Sequence, residues 1–180
     1  MQPTPVSIFL LTSPPGAGKS TLADLLVKEF PFGMHIPVDN LREWVISGRA
    51  DPVPIWTEET SRQFRLARQS AALLARKYAQ AGFAVAVDNI IFPEEVARLF
   101  EKPLKGLSLN KILLLPSLET YLARNLERTN KAFETSILIN IIQNLRKTLQ
   151  TQPFAEYGWQ IIKSDGQSAG ETARQILQQR

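Results

Sequence analysis

Cysteine is absent from this chain. Disulfides and thiolate-held metals are therefore excluded. Histidine occurs once, as His35, which argues against a metal site built from imidazoles. Long hydrophobic runs are missing too. The apolar stretch 6–11 is too short to span a bilayer and follows no basic segment, so neither a signal peptide nor a membrane partner is expected. The expected compartment is the cytoplasm, where ATP is available. There is no internal repeat, low-complexity tract or linker, and 180 residues suffice for one domain, 1–180, with a substantial core. A long basic run is also lacking, although the net charge is +4 and the pI about 9.5. That balance suits a polyanionic partner, nucleotide or nucleic acid, while Lys and Arg scattered over solvated helix surfaces account for most of it.

Against this background one segment stands out. Residues 13–21 read Ser-Pro-Pro-Gly-Ala-Gly-Lys-Ser-Thr, directly after the apolar run and before an amphipathic one. Strand, Gly-rich turn and helix in this order are the context of a phosphate-binding P-loop. Successive backbone N–H groups form an anion cradle, and the helix dipole adds partial positive charge. Pro14 and Pro15 have no N–H to donate, so the cradle starts at Gly16. Pro15, Gly16, Ala17, Gly18, Lys19, Ser20 and Thr21 are thus expected to bind ATP. Lys19 would reach the β- and γ-phosphates, and the Ser20 hydroxyl would hold Mg²⁺. Ser13 stands where a first glycine is usual.

Periodicity supplies the frame. Strands are expected over 6–11, 35–38, 83–87, 109–115 and 159–162. Helices are expected over 21–30, about 41–47 with Gly48 behind it, 58–80, from Pro93 onward, from Ser117 to about 128, 135–151, and after a Ser168/Glu171 capping box. The stripe Phe64, Ala67, Ala71, Leu74 and Tyr78 should face the core, as should Ile137, Leu138, Ile141, Ile142, Leu145 and Leu149. Strands alternating with helices predict an α/β fold with a mainly parallel five-stranded sheet and helices on both faces.

In such sheets function collects at the carboxyl ends of the strands. The second expected strand ends at Asp39 and the third at Asp88, so both carboxylates should converge on the cleft of Lys19. Phosphoryl transfer to a hydroxyl needs a carboxylate to orient and deprotonate the acceptor, and another near the metal. Asp39 suits the first task, though aspartate also favours a helix N-cap. Arg42, one turn on, could hold Asp39 or grip an acceptor phosphate. Asp88 closes an apolar strand as a Walker B aspartate does, acting on metal or acceptor. Arg124 and Arg128 share one helix face before a loop. They read as arginines of a lid over ATP, about 124–135, or as cations at a solvated helix end. Trp56, in the Pro-rich loop 49–57, is a specificity element or a core residue. Bases in such folds sit near the last strand, so the turn 164–167 is the expected adenine contact.

Together, Pro-Gly-Ala-Gly-Lys-Ser-Thr at 15–21, Asp39 with Arg42, Asp88 with Asn89, and Arg124-Asn125 with Arg128 resemble the polynucleotide kinase-like P-loop kinases. The wider group also holds chloramphenicol phosphotransferase and the zeta toxins. The resemblance covers most of the chain. It implies a three-layer P-loop NTPase fold of the nucleotide-kinase type, with ATP and Mg²⁺ as cofactors. Asp39 would be the general base, Arg42 and Asp88 would line the acceptor side, and Arg128 with Arg124 would act on the ATP phosphates. The acceptor hydroxyl could belong to a nucleic acid 5′ end, a nucleoside-like metabolite or an antibiotic-like molecule. The alternative is a nucleotide-binding regulatory ATPase or switch. A guanine motif is absent, and Asn89 stands where a motor ATPase would carry a water-activating glutamate; both favour the kinase.

Overall fold

The computed structural model describes residues 6–126 and 135–179. Five parallel strands lie in the order β2-β3-β1-β4-β5: β1 (Ser7–Thr12), β2 (Gly33–Pro37), β3 (Ala84–Asp88), β4 (Ser108–Leu114) and β5 (Gln160–Ile162). The P-loop strand β1 pairs directly with β3 and β4, and Leu11 lies opposite Asp88. This register sets the Asp88 carboxylate beside the P-loop.

Alternation along β1 makes the three layers. Ile8 and Leu10 face a core built with α3 (Glu58–Gln80), α4 (Pro93–Val96), the wider π-type turn that continues it (Ala97–Glu101), and α6 (Thr135–Thr151). Phe9 and Leu11 face the other core, built with α1 (Lys19–Lys28), Tyr121 of α5 (Leu118–Leu126), and α7 (Ala169–Gln178). All four β1 residues are fully buried. A strand covered on both faces reads as a continuous apolar run, which is what the sequence shows.

The long helices take the expected bounds, and α7 opens with the predicted capping box: Glu171 N donates to the Ser168 hydroxyl. Most other elements differ by a residue or two. On α3, the Thr57 hydroxyl caps the Thr60 N–H. The buried stripe runs through Phe64, Arg68, Ala71, Ala75 and Ala79, while Tyr78 is more than a third exposed. On α6, Ile142 and Leu149 are buried and Leu145 is half-buried. The side chains of Ile137, Leu138 and Ile141 lie outside the described residues.

The one misplaced element is α2, which spans Val38–Glu43 rather than 41–47. Its N-cap position is Pro37, with no side-chain cap. Asp39 is therefore not an N-cap but lies inside the first turn. A helix ending at Glu43 also leaves Gly48 with no helix to terminate.

Candidate active site

The P-loop has the backbone that its sequence requires. Gly16 and Gly18 adopt φ of 92° and 93°, the left-handed region in which a side chain is strained. Gly18 is the N-cap of α1, and Lys19 is its first residue. The Lys19 ammonium donates to the Ser13 carbonyl at 3.1 Å and lies against the Ser13 hydroxyl and the Pro14 carbonyl, both at 3.4 Å. Ser13, fully buried, thus braces the catalytic-type lysine from the position usually held by glycine.

Asp88 joins this group from the end of β3. It is buried and hydrogen-bonded to Ser20. Its Oδ2 also lies 2.8 Å from His35 Nε2, and His35 Nδ1 lies 2.9 Å from Asp24 Oδ1. Carboxylates only accept, so a ring keeping both bonds carries both protons. Burial alone would lower the His35 pKa, but the bonds and charges of Asp88 and Asp24 outweigh it and raise the value above 6.5. For Asp88, burial would raise the pKa. The His35 bond, the Lys19 charge and the Ser20 bond together hold it below the usual carboxylate range. An ionised Asp88 against the Ser20 hydroxyl fits Mg²⁺, which is held by few protein oxygens and the nucleotide phosphates. Among the described residues no cluster of three His, Asp or Glu could hold a metal alone.

On the nucleotide side a cavity of about 270 Å³ opens between the P-loop and the start of α7. It is lined by Ala17, Gly18, Thr21, Arg124, Ser164 and Gln167, among others. Arg124 Nη1 donates to the Ala17 carbonyl at 2.9 Å, which places this arginine over the loop. The Ser164 hydroxyl is buried in the cavity wall without a partner among the described residues, so it can bond to what occupies the cavity. Asp165 faces elsewhere. Its Oδ1 accepts from Ser117 N and the Thr120 hydroxyl, both at 2.8 Å, tying the turn to α5. Arg128 and most of the expected lid lie outside the described residues.

On the opposite side lies a larger pocket of about 630 Å³. Asp39 stands in it with Trp56, Phe64, Arg68, Asn89 and Phe92, closed by Pro52–Pro54 and by Leu145 of α6. Trp56 is 53% exposed, so it is not a core residue. Its ring stacks on Phe64 with centroids 4.9 Å apart and planes 12° apart, and its Nε1 donates to the Ser61 hydroxyl at 2.6 Å. Asp39 is open to solvent but crowded by protein. Desolvation pushes its carboxyl above the usual range, against the pull of Lys19 and Arg42, and Asp88 and Glu43 add to the rise.

Two residues expected on the acceptor side do not line this pocket. Asp88 lies with Ser20 and His35. Arg42 is buried, donates to the Ala50 carbonyl at 2.8 Å, and lies 3.8 Å from the Phe64 ring centroid. It makes no ion pair with Asp39 and does not line this pocket; its guanidinium packs against an aromatic ring instead. It lines a separate groove with Trp44.

Arg68 was missed. Its Nε donates to Asn89 Oδ1 at 2.7 Å, its Nη1 to Glu95 at 2.6 Å, and its Nη2 to the Ile90 carbonyl at 2.7 Å. Thr12 anchors the same loop, exchanging hydrogen bonds with Ile91 N and O at 3.0 and 3.1 Å. The signal was present: Arg68 follows Phe64 by four positions, a charge on the inward stripe.

Residues 8–150 match the AAA domain family. The chain belongs to that family. No curated protein matches it. Among solved structures, it is similar to the Deinococcus radiodurans tunicamycin resistance protein at 22% identity, covering 97% of this chain and 95% of that one, TM-score 0.64. Shikimate kinase from Acinetobacter baumannii, in complex with shikimate, matches at 20% identity over 98% and 93%, TM-score 0.63. The Mycobacterium tuberculosis APS kinase, in complex with AMPPNP and APS, matches at 15% identity over 98% of each chain, TM-score 0.64. At such identities the likeness shows the fold, which is the P-loop nucleotide-kinase fold expected from the sequence. Among the described residues no helix is long and apolar enough to cross a membrane.

Proposed function

We propose that this chain is an ATP-dependent phosphotransferase that moves the γ-phosphoryl group of Mg·ATP onto a hydroxyl of a small molecule. The observation that carries the reading is the position of Asp39. It feels the charge of Lys19 and Asp88 on the phosphate side, and it also lines an aromatic-walled pocket on the other. A carboxylate at that junction can accept the acceptor's hydroxyl proton as its oxygen attacks phosphorus.

Each side has a defined task. The N–H groups from Gly16 onward and the Lys19 ammonium bind the phosphates. Ser20 and Asp88 would hold Mg²⁺, which neutralises phosphate charge when bound. Arg124, with Arg128 from the lid, would add positive charge on the nucleotide and exclude water. The unpartnered Ser164 hydroxyl supports a base subsite in the cavity at the turn 164–167. Asn89 is no substitute for a water-activating glutamate: it is an amide, and its oxygen is occupied by Arg68.

Two features support a small acceptor over a nucleic acid end, and so a place beside, rather than among, the polynucleotide kinases. The pocket's wall is mostly apolar, and its described lining has one cation, Arg68, already paired with Glu95. Polynucleotide binding relies on several Lys and Arg contacts to phosphates. The reading places the enzyme where ATP is plentiful, the cytoplasm. The test is transfer of labelled γ-phosphate from Mg·ATP to small-molecule alcohols and to a 5′-OH oligonucleotide, wild type beside Asp39→Asn. Transfer by the wild type that is lost in the variant supports the reading. ATP hydrolysis with no transfer to any alcohol would favour a regulatory ATPase.

A further inference from the structure

The acceptor pocket also carries information about what fills it. Its volume, about 630 Å³, is that of a drug-sized ligand site. Most of the wall is apolar: Pro52, Val53, Pro54, Trp56, Phe64, Ile90, Phe92 and Leu145 outnumber Asp39, Arg68 and Asn89. The Trp56 indole is held in place twice, by stacking on Phe64 and by its bond to Ser61. It is nevertheless half-exposed. A large aromatic surface fixed in this way and left open to a pocket is a preformed stacking platform.

The polar groups restrict the ligand's charge. Arg68 is the one cation among the described lining residues, and three of its nitrogens are engaged by Asn89, Glu95 and Ile90. Glu95 neutralises its charge at 2.6 Å. Asp39 brings a negative charge of its own, which Lys19 and Arg42 already offset in part from outside the lining. An anionic acceptor would meet that carboxylate with no uncommitted cation among these residues to offset it. Asn89 contributes differently. Because its Oδ1 accepts from Arg68 Nε, the amide orientation is fixed, and the N–H₂ end has no partner among the described residues. It can donate to a neutral oxygen of the ligand.

We infer that the acceptor is a neutral, ring-bearing alcohol whose ring packs against Trp56, whose hydroxyl meets Asp39, and which presents an uncharged oxygen to Asn89. Sugar acids, phosphorylated metabolites and nucleic acid ends are disfavoured by the same groups. This inference rests on the kinase reading for the identity of the acceptor site, and it makes Trp56 a specificity-determining residue.

The experiment separates the two. Saturation-transfer NMR, in the presence of Mg·AMPPNP, measures binding of three sets of compounds to the full chain. The first is neutral ring-bearing alcohols (nucleosides and aryl-substituted alcohols), the second sugar acids such as gluconate, and the third a 5′-OH oligonucleotide. Each set is then tested for phosphorylation with labelled ATP. Neutral alcohols should bind in the millimolar range or better. Trp56→Ala should weaken them about tenfold, as expected for one lost aromatic contact, with affinity for AMPPNP unchanged and binding recovered in Trp56→Phe. Binding confined to the sugar acids or the oligonucleotide, no millimolar binding by any neutral alcohol, or indifference to Trp56→Ala would each overturn the inference. If sugar acids bind and are phosphorylated, the kinase reading survives and the acceptor class fails. If neutral alcohols bind through Trp56 but are never phosphorylated while ATP is hydrolysed, the kinase reading fails and the pocket's chemistry stands.

Discussion

Arg68→Ala should cost more stability than any other single truncation around the acceptor pocket. The residue is 8% exposed and makes three short hydrogen bonds, to Asn89, Glu95 and Ile90. Removing it leaves three acceptors without a partner. The Asn89 side chain is buried, and an orphaned polar group of that kind costs about 1–3 kcal/mol. Glu95 is 29% exposed, so water relieves part of its loss. The guanidinium also sits 5.3 Å from the Phe64 ring centroid, and that contact goes too. The total comes to about 3–5 kcal/mol, the range for breaking a buried pair by deleting one partner. With a urea slope of roughly 2 kcal/mol per molar, the unfolding midpoint should fall by roughly 2 M. Tryptophan fluorescence in equilibrium urea titrations reads this directly. Arg68→Lys should recover part of the loss, since an ammonium keeps the charge beside Glu95 but cannot span three acceptors. Glu95→Gln should cost less, about 1–2 kcal/mol, because Arg68 keeps its other two bonds. A midpoint shift below about 0.3 M for Arg68→Ala would refute the claim that this arginine holds loop and helix together.

Three functional outcomes follow from the same geometry. Asp39→Asn should lower kcat by about 10²–10⁴-fold, the usual worth of a general base, while the Kd for ATP stays nearly constant by calorimetry; full activity would remove Asp39 from that role. Because burial raises the Asp39 pKa, and only the carboxylate accepts a proton, kcat/KM should fall on the acid side with a midpoint above the ordinary aspartate value of about 3.9. A limb at or below that value would contradict the placement. His35→Gln should raise the Mg²⁺ concentration for half-maximal activity several-fold, since His35 fixes one oxygen of Asp88. Mn²⁺ binding with AMPPNP, followed by electron paramagnetic resonance, should weaken in parallel, and unchanged metal affinity would reduce His35 to a structural part. Its stability contribution has a sign. A raised His35 pKa gives stabilisation that is complete below about 6.5 and is lost as pH rises through the folded value. The urea midpoints of wild type and His35→Gln should therefore converge in alkali.

What could be read from the sequence divides according to how local the physics is. The P-loop was legible because one short segment contains its whole mechanism, and Gly16 and Gly18 take the left-handed φ that the turn needs. The helices α3 and α6 were legible because 23 and 17 residues of period 3.6 outweigh boundary noise. By contrast, α2 has only 6 residues, too few for periodicity to speak. A preference of aspartate for the N-cap then pointed to a later start, and Pro37 took that position instead. The misplacement of Arg42 has a different cause. Three residues after Asp39, it does lie one turn away on the same helix. On the helix that forms, the Phe64 ring and the Ala50 carbonyl claim its guanidinium.

The acceptor pocket could not have been read this way, and the reason is topological. Its wall draws on the start of α2, the loop 52–56, two turns of α3, the segment 89–92 and α6. No two of these pieces advertise each other in sequence. Arg68 and Glu95 stand 27 residues apart, and His35 and Asp88 stand 53 apart. The first pairing joins α3 to α4, and the second exists because β3 lies between β1 and β2 in the sheet, bringing the end of β3 beside the P-loop on one side and β2 on the other. The sheet order thus supplies the phosphate side with a fixed set of groups at the ends of β1 and β3. The acceptor side is built from loops and helix faces that the sheet only brackets. A change in loop 52–56 or on the inward face of α3 can therefore reshape that pocket, while Lys19, Ser20 and Asp88 keep their places.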